Sequence, residues 1–279
     1  MNSAVKIKAL IRNLAREKNI NAQILLRNYL LERLLERISL SNYNNSFVLK
    51  GGMLIAALVG LDSRSTIDMD ATMRGIPVNK ETVEEIVGEI LSVPVNDGVK
   101  MKMRNIEDIR EEADYSGYRV TIDTILDEIR LPLKVDITTG DRITPKAIKY
   151  SFQLMLEPRN IEIMAYNIET IIAEKLETII SRSTTNTRMR DFYDVFVLLK
   201  TQSDRIDFSV VKDALFATAS SRGTSALLSQ ADKVISDVIH SETMQRFWRR
   251  YQSQFNYAND ITWGDIATTL IELKTAINI

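Results

Sequence analysis

The apolar periodicity of this sequence changes near residue 160. Before that point, runs that alternate apolar and polar residues lie between helical stretches, and after it the apolar residues recur at helical spacing to residue 279. Strand-forming and helix-forming segments are therefore separated along the chain, which is typical of α+β proteins. The sequence predicts an α+β fold with two domains. A mixed sheet with flanking helices covers residues 1–160, including N-terminal helices in residues 1–40, and an all-helical domain covers residues 161–279.

Periodicity and capping residues place the predicted elements along the chain. Asn21 and Asn79 are the expected N-caps of two helices. The predicted helices of the first domain cover residues 5–18, 21–38, 53–58 and 79–92. Its predicted strands cover residues 47–49, 65–73, 100–106, 117–126, 130–138 and 149–156, and the last four are expected to form a meander. The second domain is expected to hold helices over residues 167–182, 188–200, 208–219, 225–238, 242–254 and 263–277.

The composition excludes several classes of catalytic site. The chain has no cysteine, which rules out disulfides, thiolate catalysis and cysteine zinc sites. Its one histidine, His240, would have to serve any histidine-based triad or relay, and we interpret it as a solvated or capping residue. Carboxylates, lysine, arginine and a bound hard metal ion remain as the means of catalysis.

Neither a global charge field nor a membrane segment is evident. The net charge is −1, so nucleic-acid binding would depend on local basic patches. The longest apolar run, residues 53–61, is far shorter than the roughly 20 residues that cross a bilayer. The N-terminus lacks the apolar block of a signal peptide. We therefore expect a cytoplasmic protein with no membrane partner.

Two aspartates stand one residue apart on the predicted strand 65–73. Because side chains alternate faces along a strand, Asp68 and Asp70 are expected on one face, about 7 Å apart, with Ile67 and Met69 facing the core. A divalent cation, Mg²⁺ or Mn²⁺, would remove the repulsion between the two carboxylates. Strands also carry such pairs by chance, so the pair alone leaves both interpretations open.

Two further features give this pair a context. Gly51-Gly52 lies between a predicted strand and a helix, where the backbone can approach a phosphate or simply make a tight turn. Asp136 occupies a position that the alternation of its strand marks as inward. An unpaired buried charge is costly, and a metal site shared with Asp68 and Asp70 would account for it.

The order of these elements is similar to that of the polymerase-β-type nucleotidyltransferase superfamily. Six segments taken together resemble the AbiEii family of nucleotidyltransferase toxins, from about residue 24 to about residue 200. They are FVLKGGMLIAALVG, DSRSTIDMD, GYRVTI, LKVDITTGD, AEKLETII and RDFYDVFVLLK. The resemblance implies a polymerase-β-like N-terminal domain and a role in toxin–antitoxin or abortive-infection systems.

The resemblance assigns roles to residues of the first domain. Gly51 and Gly52 would hold the nucleotide phosphates, and Asp68 and Asp70 would bind the metal. Asp136 would complete the metal site as the third carboxylate and help to deprotonate the acceptor hydroxyl.

It also assigns roles in the helical domain. Lys175 would act in catalysis and neutralise the triphosphate or the leaving pyrophosphate, and Asp191 and Asp194 would bind the nucleotide. Taken alone, Lys175 reads as a solvated lysine paired with a flanking glutamate, and the aspartates as members of an ion-pair network with Arg188 and Arg190. Both interpretations stay open.

Two weaker candidates complete the site. Glu112 and Arg119 have about the spacing of a family motif, with Arg119 in nucleotide binding, but Gly117 stands where a hydroxyl residue is often seen. Thr66, two residues before Asp68, is either a β-branched strand residue or a site of regulatory modification that would place negative charge against the metal site.

Together with these residues, the resemblance implies a metal-dependent nucleotidyltransferase toxin. It would transfer a nucleoside monophosphate from an NTP to an RNA acceptor, the 3′ end of tRNA, and release pyrophosphate. Mg²⁺ or Mn²⁺ is the expected cofactor, and a cognate antitoxin is an expected partner. The alternatives are transfer to a small molecule or to a protein hydroxyl, a nucleotide-binding module without catalysis, and a helical adaptor.

Three basic clusters suit an RNA acceptor. The cluster in residues 242–254 is interleaved with aromatic residues that could stack on bases, or it is the solvated face of an ordinary amphipathic helix. The clusters are Lys6, Lys8, Arg12, Arg16 and Lys18; Arg182, Arg188 and Arg190; and Arg246, Arg249 and Arg250 beside Phe247, Trp248 and Tyr251.

Overall fold

The computed structural model describes residues 4–109 and 117–279, which fall into two compact units. The first unit takes the described residues up to Asp141 together with Ala147–Tyr166, and the second takes Arg142–Lys146 with Asn167–Ile279. The first unit contains a sheet and the second contains helices. The predicted α+β fold class is confirmed.

Seven strands form one mixed sheet within the described residues of the first unit. They are β1 (Phe47–Lys50), β2 (Met69–Met73), β3 (Val99–Asp108), β4 (Gly117–Leu126), β5 (Ile129–Thr138), β6 (Ile148–Gln153) and β7 (Asn160–Ala165). Their order across the sheet is β3-β4-β5-β2-β1-β7-β6. The pairs β1/β7 and β2/β5 are parallel, and the other neighbouring pairs are antiparallel. The centre of the sheet, β2 beside β1 and β5, carries the candidate site.

The strand predictions are right for β3–β5 and wrong at the other edge. The antiparallel ladder β3-β4-β5 is the predicted meander. Strand β6 does not continue it but pairs with β7, a strand that the sequence analysis missed. The residues of β7 alternate between exposed and buried, with Ile161 and Ile163 inward, so the period-2 signal was present but short.

Four helices lie in the described part of the first unit. They are α1 (Ala4–Lys18), α2 (Ala22–Leu40), α3 (Gly51–Val59) and α4 (Lys80–Ser92). Asn21 caps α2 by accepting from the backbone N–H of Gln23, and Asn79 caps α4 by accepting from that of Thr82, as predicted. Helix α2 also supports the candidate site, because the side-chain amide of its buried Asn28 donates to the carbonyl of Thr66 at 2.9 Å.

A buried ion-pair network fixes the β6–β7 turn onto α2. Arg33 Nη1 lies 2.8 Å from Glu36 Oε2 and 2.9 Å from Glu157 Oε1. Arg159 closes the network at 2.7 Å from Glu36 Oε1 and 2.6 Å from Glu157 Oε2. The side chains of Arg33 and Glu36 are only 2% and 8% exposed, so each charge depends on its partner for compensation.

We expect Glu36→Gln to lower the free energy of unfolding by about 3 kcal/mol, because removing one partner of a buried pair leaves uncompensated charge. The matched control is Glu162→Gln, which breaks the Lys149–Glu162 pair, where both side chains are 68% exposed. That change should cost less than about 1 kcal/mol. Urea denaturation of both variants measures the difference, and equal losses would contradict a stabilising network.

Glu32, also on α2, is buried and predicts a pH dependence of stability. Burial raises the pKa of its carboxyl from 4.5 to about 8, against the lowering effect of the Met155 backbone N–H, which lies 3.1 Å from both carboxyl oxygens. A pKa that is higher in the folded state favours the protonated protein. This stabilisation is therefore present in full below pH 4.5 and is lost as the pH rises to about 8.

We expect Glu32→Gln to remove this part of the pH dependence, because the amide oxygen can still accept from Met155 but cannot ionise. The variant should gain stability over the wild type as the pH rises from about 5 to about 8. Thermal melts across that range measure the gain. A constant difference at every pH would show that Glu32 does not titrate there.

The second unit is helical, as predicted. Its helices are α5 (Ile168–Arg182), α6 (Met189–Gln202), α7 (Phe208–Arg222), α8 (Ser225–Leu228), α9 (Ala231–His240), α10 (Glu242–Gln254) and α11 (Trp263–Ile277). The single helix predicted over 225–238 is wrong, since the chain turns between α8 and α9. At that turn the Ser229 hydroxyl donates to the carbonyl of Ala226 at 2.8 Å, a local bond that competes with helix continuation.

No helix in residues 4–109 or 117–279 combines the length and the apolar character that a membrane span requires.

Candidate active site

A row of four charged residues crosses the centre of the sheet. Lys50 of β1 lies opposite Asp70 of β2, Asp70 opposite Asp136 of β5, and Asp136 opposite Arg119 of β4. Directly opposite residues on neighbouring strands project from the same face of a sheet. Two carboxylates therefore stand side by side on strands about 4.8 Å apart, with a cation at each end of the row.

Arg119 pairs with Asp136 through both of its oxygens. Nε lies 2.7 Å from Oδ1 and Nη2 lies 2.6 Å from Oδ2, the bidentate geometry that makes an arginine–carboxylate pair strong. Hydrogen bonding to Asp136 raises the pKa of the Arg119 guanidinium above its ordinary value, and the charges of Asp136, Asp68 and Asp70 add to the rise. The three predicted carboxylates thus all act on one guanidinium. The prediction that Asp136 occupies an inward position is wrong, because the buried face of β5 carries Leu133, Val135 and Ile137 and Asp136 lies on the opposite face. Arg119 is its charge partner there.

The predicted strand around Asp68 begins too early. Strand β2 starts at Met69, so Asp68 and Thr66 lie in the segment before it, and alternation along the strand does not place Asp68 on the face of Asp70. Met69 is buried as expected, but Ile67 is 56% exposed. Hydrogen bonds from neighbouring side chains hold this segment out of the sheet: the Thr66 hydroxyl lies 3.2 Å from both the backbone and a carboxylate oxygen of Asp68.

Thr66, the proposed site of regulatory modification, lies in a buried and hydrogen-bonded position. The residue is 4% exposed, and its hydroxyl donates to Asp68. Its carbonyl accepts from Asn28. Thr66 is therefore held from both sides as part of the wall of the site.

The diglycine forms the first turn of α3, two residues before the predicted start of the helix. Gly51 has a φ of +66°, and a Cβ added to it would lie 2.1 Å from Oδ2 of Asp70. A Cβ on Gly52 would lie 2.9 Å from the Thr66 hydroxyl and 3.3 Å from Nη2 of Arg64. At both glycines, side chains of the site therefore occupy the space that a Cβ would need. The N-cap residue makes no side-chain cap and the first turn carries no acid, so the positive end of the helix dipole faces the site.

Three polar residues of the site were missed by the sequence analysis. Arg64 is 2% exposed and lies beside Gly52. Lys50 ends an apolar strand directly before the diglycine, and its Nζ lies 2.5 Å from Oδ2 of Asp141, whose side chain is fully buried. All three stand inside the quoted segments FVLKGGMLIAALVG, DSRSTIDMD and LKVDITTGD. For Lys50, the signal available in the sequence was a charged residue directly after an apolar strand.

The structure accounts for one departure from the family pattern. Gly117 opens β4, and a Cβ there would lie 2.4 Å from the backbone oxygen of Ile137. A hydroxyl residue would not fit at this position without a backbone shift. Glu112, which was paired with Arg119 in the same motif, lies outside the described residues.

In the second unit, Lys175 of α5 pairs with α6. Its Nζ lies 2.6 Å from Oδ1 of Asp191 and 3.3 Å from Oδ2 of Asp194, and both aspartate side chains are at most 3% exposed. Arg188 Nε is 3.6 Å from the other oxygen of Asp191. The three residues that the resemblance singled out therefore form one cluster, and the ion-pair network with Arg188 is present as well.

The aromatic residues of α10 do not form an exposed stacking surface. Trp248 is 1% exposed and Tyr251 is 7% exposed, their rings stack at 5.4 Å, and the Trp248 indole donates to the carbonyl of Ile261. They belong to the core of the second unit, which favours the amphipathic interpretation of this helix. His240, at the end of α9, is exposed and bonds through Nδ1 to the carbonyl of Ser236, as expected for a solvated residue.

The carboxylates suit a divalent cation in their chemistry, since Mg²⁺ and Mn²⁺ prefer oxygen ligands. The Asp70 carboxylate packs directly against Gly51 at the helix N-terminus. Within the part of the chain that the structure describes, however, no group of three or more His, Asp or Glu side chains is arranged to hold a metal ion. Both oxygens of Asp136 already bind Arg119. Asp68 and Asp70 therefore offer oxygen ligands of the kind that suit a cation, and Asp136 could add to them only after releasing Arg119.

Comparisons with known proteins identify the family of the chain and its fold. The model of a family described as nucleotidyl transferase AbiEii toxin, type IV TA system, matches residues 33–269. A solved structure of a candidate nucleotidyltransferase from Helicobacter pylori is similar, with a TM-score of 0.53 and 16% identity over 93% of this chain and 98% of that one. JHP933 from Helicobacter pylori has a TM-score of 0.52 and 17% identity over 92% of this chain and 94% of that one. At these identities the two structures show the fold alone. No protein of curated function matches the sequence.

Proposed function

Since the chain belongs to the AbiEii family of nucleotidyltransferase toxins of type IV toxin–antitoxin systems, we propose that it transfers a nucleoside monophosphate from an NTP to an RNA hydroxyl, at the 3′ end of tRNA. The observation that carries the proposal is the packing of Asp70 against the Gly51 backbone, beside Asp136 in the row. It brings a carboxylate pair to the N-terminus of a helix, where a phosphate would bind.

In the proposed reaction the acceptor oxygen bonds to the α-phosphorus, and the bond from that phosphorus to the bridging oxygen of pyrophosphate breaks. The hydroxyl proton goes to an Asp136 oxygen that Arg119 releases as it turns to the nucleotide, and pyrophosphate leaves with the bonding electron pair. Such a transfer depends on positioning and on charge neutralisation rather than on covalent catalysis. The residues of the row are of the types that this requires: carboxylates at the centre and cations at the ends.

Asp68 and Asp70 would hold Mg²⁺ or Mn²⁺, which would neutralise charge on the triphosphate. Asp136 would join them as the third ligand once its carboxylate is released from Arg119. Arg119, whose side chain is 43% exposed, would bind the nucleotide. Gly51 and Gly52 would offer backbone N–H groups to the phosphates.

Lys175, Asp191 and Asp194 remain part of the proposal through the family resemblance, which gives Lys175 the role of neutralising the triphosphate or pyrophosphate. Their mutual contacts support a preformed cluster. The hypothesis that Thr66 is modified by an antitoxin partner is tested by intact mass after incubation with that partner, and an unchanged mass would end it.

Support for an RNA acceptor comes from exposed cations rather than from aromatic stacking. On α1, Lys6, Arg12 and Arg16 are exposed, and on α10 Arg246 and Arg249 are exposed. Such residues suit a phosphate backbone, and the binding they support weakens steeply as salt rises. A gel shift with tRNA at increasing salt measures this interface.

The deciding experiment incubates the protein and Mg²⁺ or Mn²⁺ with each of four α-³²P NTPs. Total RNA, tRNA, a protein extract and an aminoglycoside serve as separate acceptors. We expect label in tRNA, and no label in tRNA whose 3′ diol has been oxidised with periodate. Label in protein or in the aminoglycoside alone would replace the RNA acceptor by one of the alternatives. No label in any acceptor would favour a nucleotide-binding module without catalysis.

A further inference from the structure

Lys50 lies at the junction of three features of the first unit. It ends β1 opposite Asp70, its backbone is the N-cap of α3, and its ammonium contacts Asp141 at 2.5 Å. Its side chain is 12% exposed. The sequence analysis gave this residue no role, and neither the carboxylates nor the diglycine requires a lysine here.

Asp141 is an unusual partner because its side chain is completely buried. Its Oδ2 accepts from Lys50 and also from the hydroxyls of Thr138 and Tyr166, each at 2.9 Å. Its Oδ1 is buried and accepts no hydrogen bond from the residues that the structure describes. A carboxylate with one unsatisfied oxygen is a costly group to bury. The contact between the loop of Asp141 and β1 does not by itself explain why this carboxylate is buried.

The position of the ammonium supplies that explanation. Asp141 fixes Lys50 at the phosphate-facing end of α3, next to the Gly51 backbone. The charge row then reads cation, carboxylate, carboxylate, cation from Arg119 to Lys50, and the cation on the diglycine side is Lys50. A clamped ammonium offers positive charge to an anion without first losing the rotational freedom of a lysine side chain.

We infer that Lys50 binds the triphosphate of the nucleotide and that Asp141 is the positioning residue that holds it. This inference rests on the proposed function for the identity of the ligand. Lys50 contributes charge and a hydrogen-bond donor to the phosphates, while Asp141 acts only through Lys50. The roles of Asp68, Asp70 and Asp136 are unchanged.

The experiment must distinguish a loss of phosphate binding from a loss of the stability that the Lys50–Asp141 ion pair contributes. Lys50→Met alone would leave Asp141 as an uncompensated buried charge and is expected to destabilise the protein strongly. The double variant Lys50→Met/Asp141→Asn removes both charges, and the asparagine oxygen still accepts from Thr138 and Tyr166. Replacing both partners of a buried pair is often neutral for stability, so the double variant should melt near the wild type.

The probe is inorganic tripolyphosphate with Mg²⁺, titrated calorimetrically into the full-length protein. We expect the double variant to bind it about 10- to 100-fold more weakly, as for the loss of one charge-assisted hydrogen bond. Lys50→Arg, which keeps the charge, should recover most of the affinity. Lys149→Met, on the exposed Lys149–Glu162 pair, is the matched control and should bind as the wild type does.

With an NTP, the KM of the double variant should rise by a similar factor while kcat changes less. Wild-type affinity for tripolyphosphate in a folded double variant would overturn the inference and show that the pair is structural. Absence of tripolyphosphate binding by the wild type would overturn it as well. If binding depends on Lys50 but no NTP is ever transferred, the inference stands and the proposed function fails.

Discussion

Replacing Asp70 by asparagine is expected to lower the rate of nucleotidyl transfer about a thousandfold or more while the protein stays folded. Asp70 is the carboxylate that packs against Gly51 and stands beside Asp136 in the sheet. In the proposed mechanism, loss of its charge would remove a ligand for the divalent cation, whose stabilisation of the transition state would be worth several kcal/mol. Asp68→Asn should have the same effect. Single-turnover transfer of labelled nucleotide to tRNA measures the rate.

The matched control for this prediction is Asp127→Asn. Asp127 is exposed in the β4–β5 turn with a φ of 57°, a conformation that asparagine adopts readily. It makes the same chemical change at a distance from the charge row and should leave the rate unaltered. Full activity in Asp70→Asn would rule out the carboxylate assignment, and a comparable loss in Asp127→Asn would show that the assay does not report on the site.

Gly51→Ala is expected to reduce transfer nearly as far as removal of Asp70, although no charged group is changed. The new Cβ would lie 2.1 Å from Oδ2 of Asp70, so the carboxylate has to leave its position. The backbone at φ +66° adds strain of about 1–2 kcal/mol for any L side chain. We expect a modest loss of stability together with a large fall in kcat.

Gly75→Ala distinguishes the effect of backbone strain from the effect of displacing the Asp70 carboxylate. Gly75 has a φ of +74°, close to that of Gly51, and nothing lies within 4 Å of its added Cβ. It should therefore lose a similar amount of stability and keep its activity. If the two alanine variants lose activity to the same extent, backbone strain rather than displacement of Asp70 is the cause. Thermal melts and transfer assays on both variants make the comparison.

The parts of the fold that were predicted correctly depend on local signals. The caps at Asn21 and Asn79 bond to N–H groups two and three residues away, and the meander follows from alternation within each strand. Errors occurred where side-chain hydrogen bonds override the apolar pattern, whether the partner is near or distant in the chain. Thr66 and Asp68 lie outside β2, where the Thr66 hydroxyl bonds to Asp68 and the Thr66 carbonyl accepts from Asn28, 38 residues earlier in the chain.

By itself the sequence determined which side chains the site can use. One histidine and no cysteine left carboxylates and cations, and the segments with Asp68, Asp70 and Asp136 pointed to their family. Periodicity determined the change from sheet to helices, because both repeats are properties of the local backbone.

Only the tertiary structure decided which of those charges face each other. Strand register, formed by residues far apart in the chain, put Asp70 beside Asp136 and set Arg119 and Lys50 at the ends of the row. The fully buried Asp141 then forms the ion pair that fixes the Lys50 ammonium. Pairing of this kind depends on distances between strands, which no local pattern encodes. The carboxylates and Arg119 were therefore visible in the sequence as candidates, whereas their arrangement in one row and the place of Lys50 at its end were not.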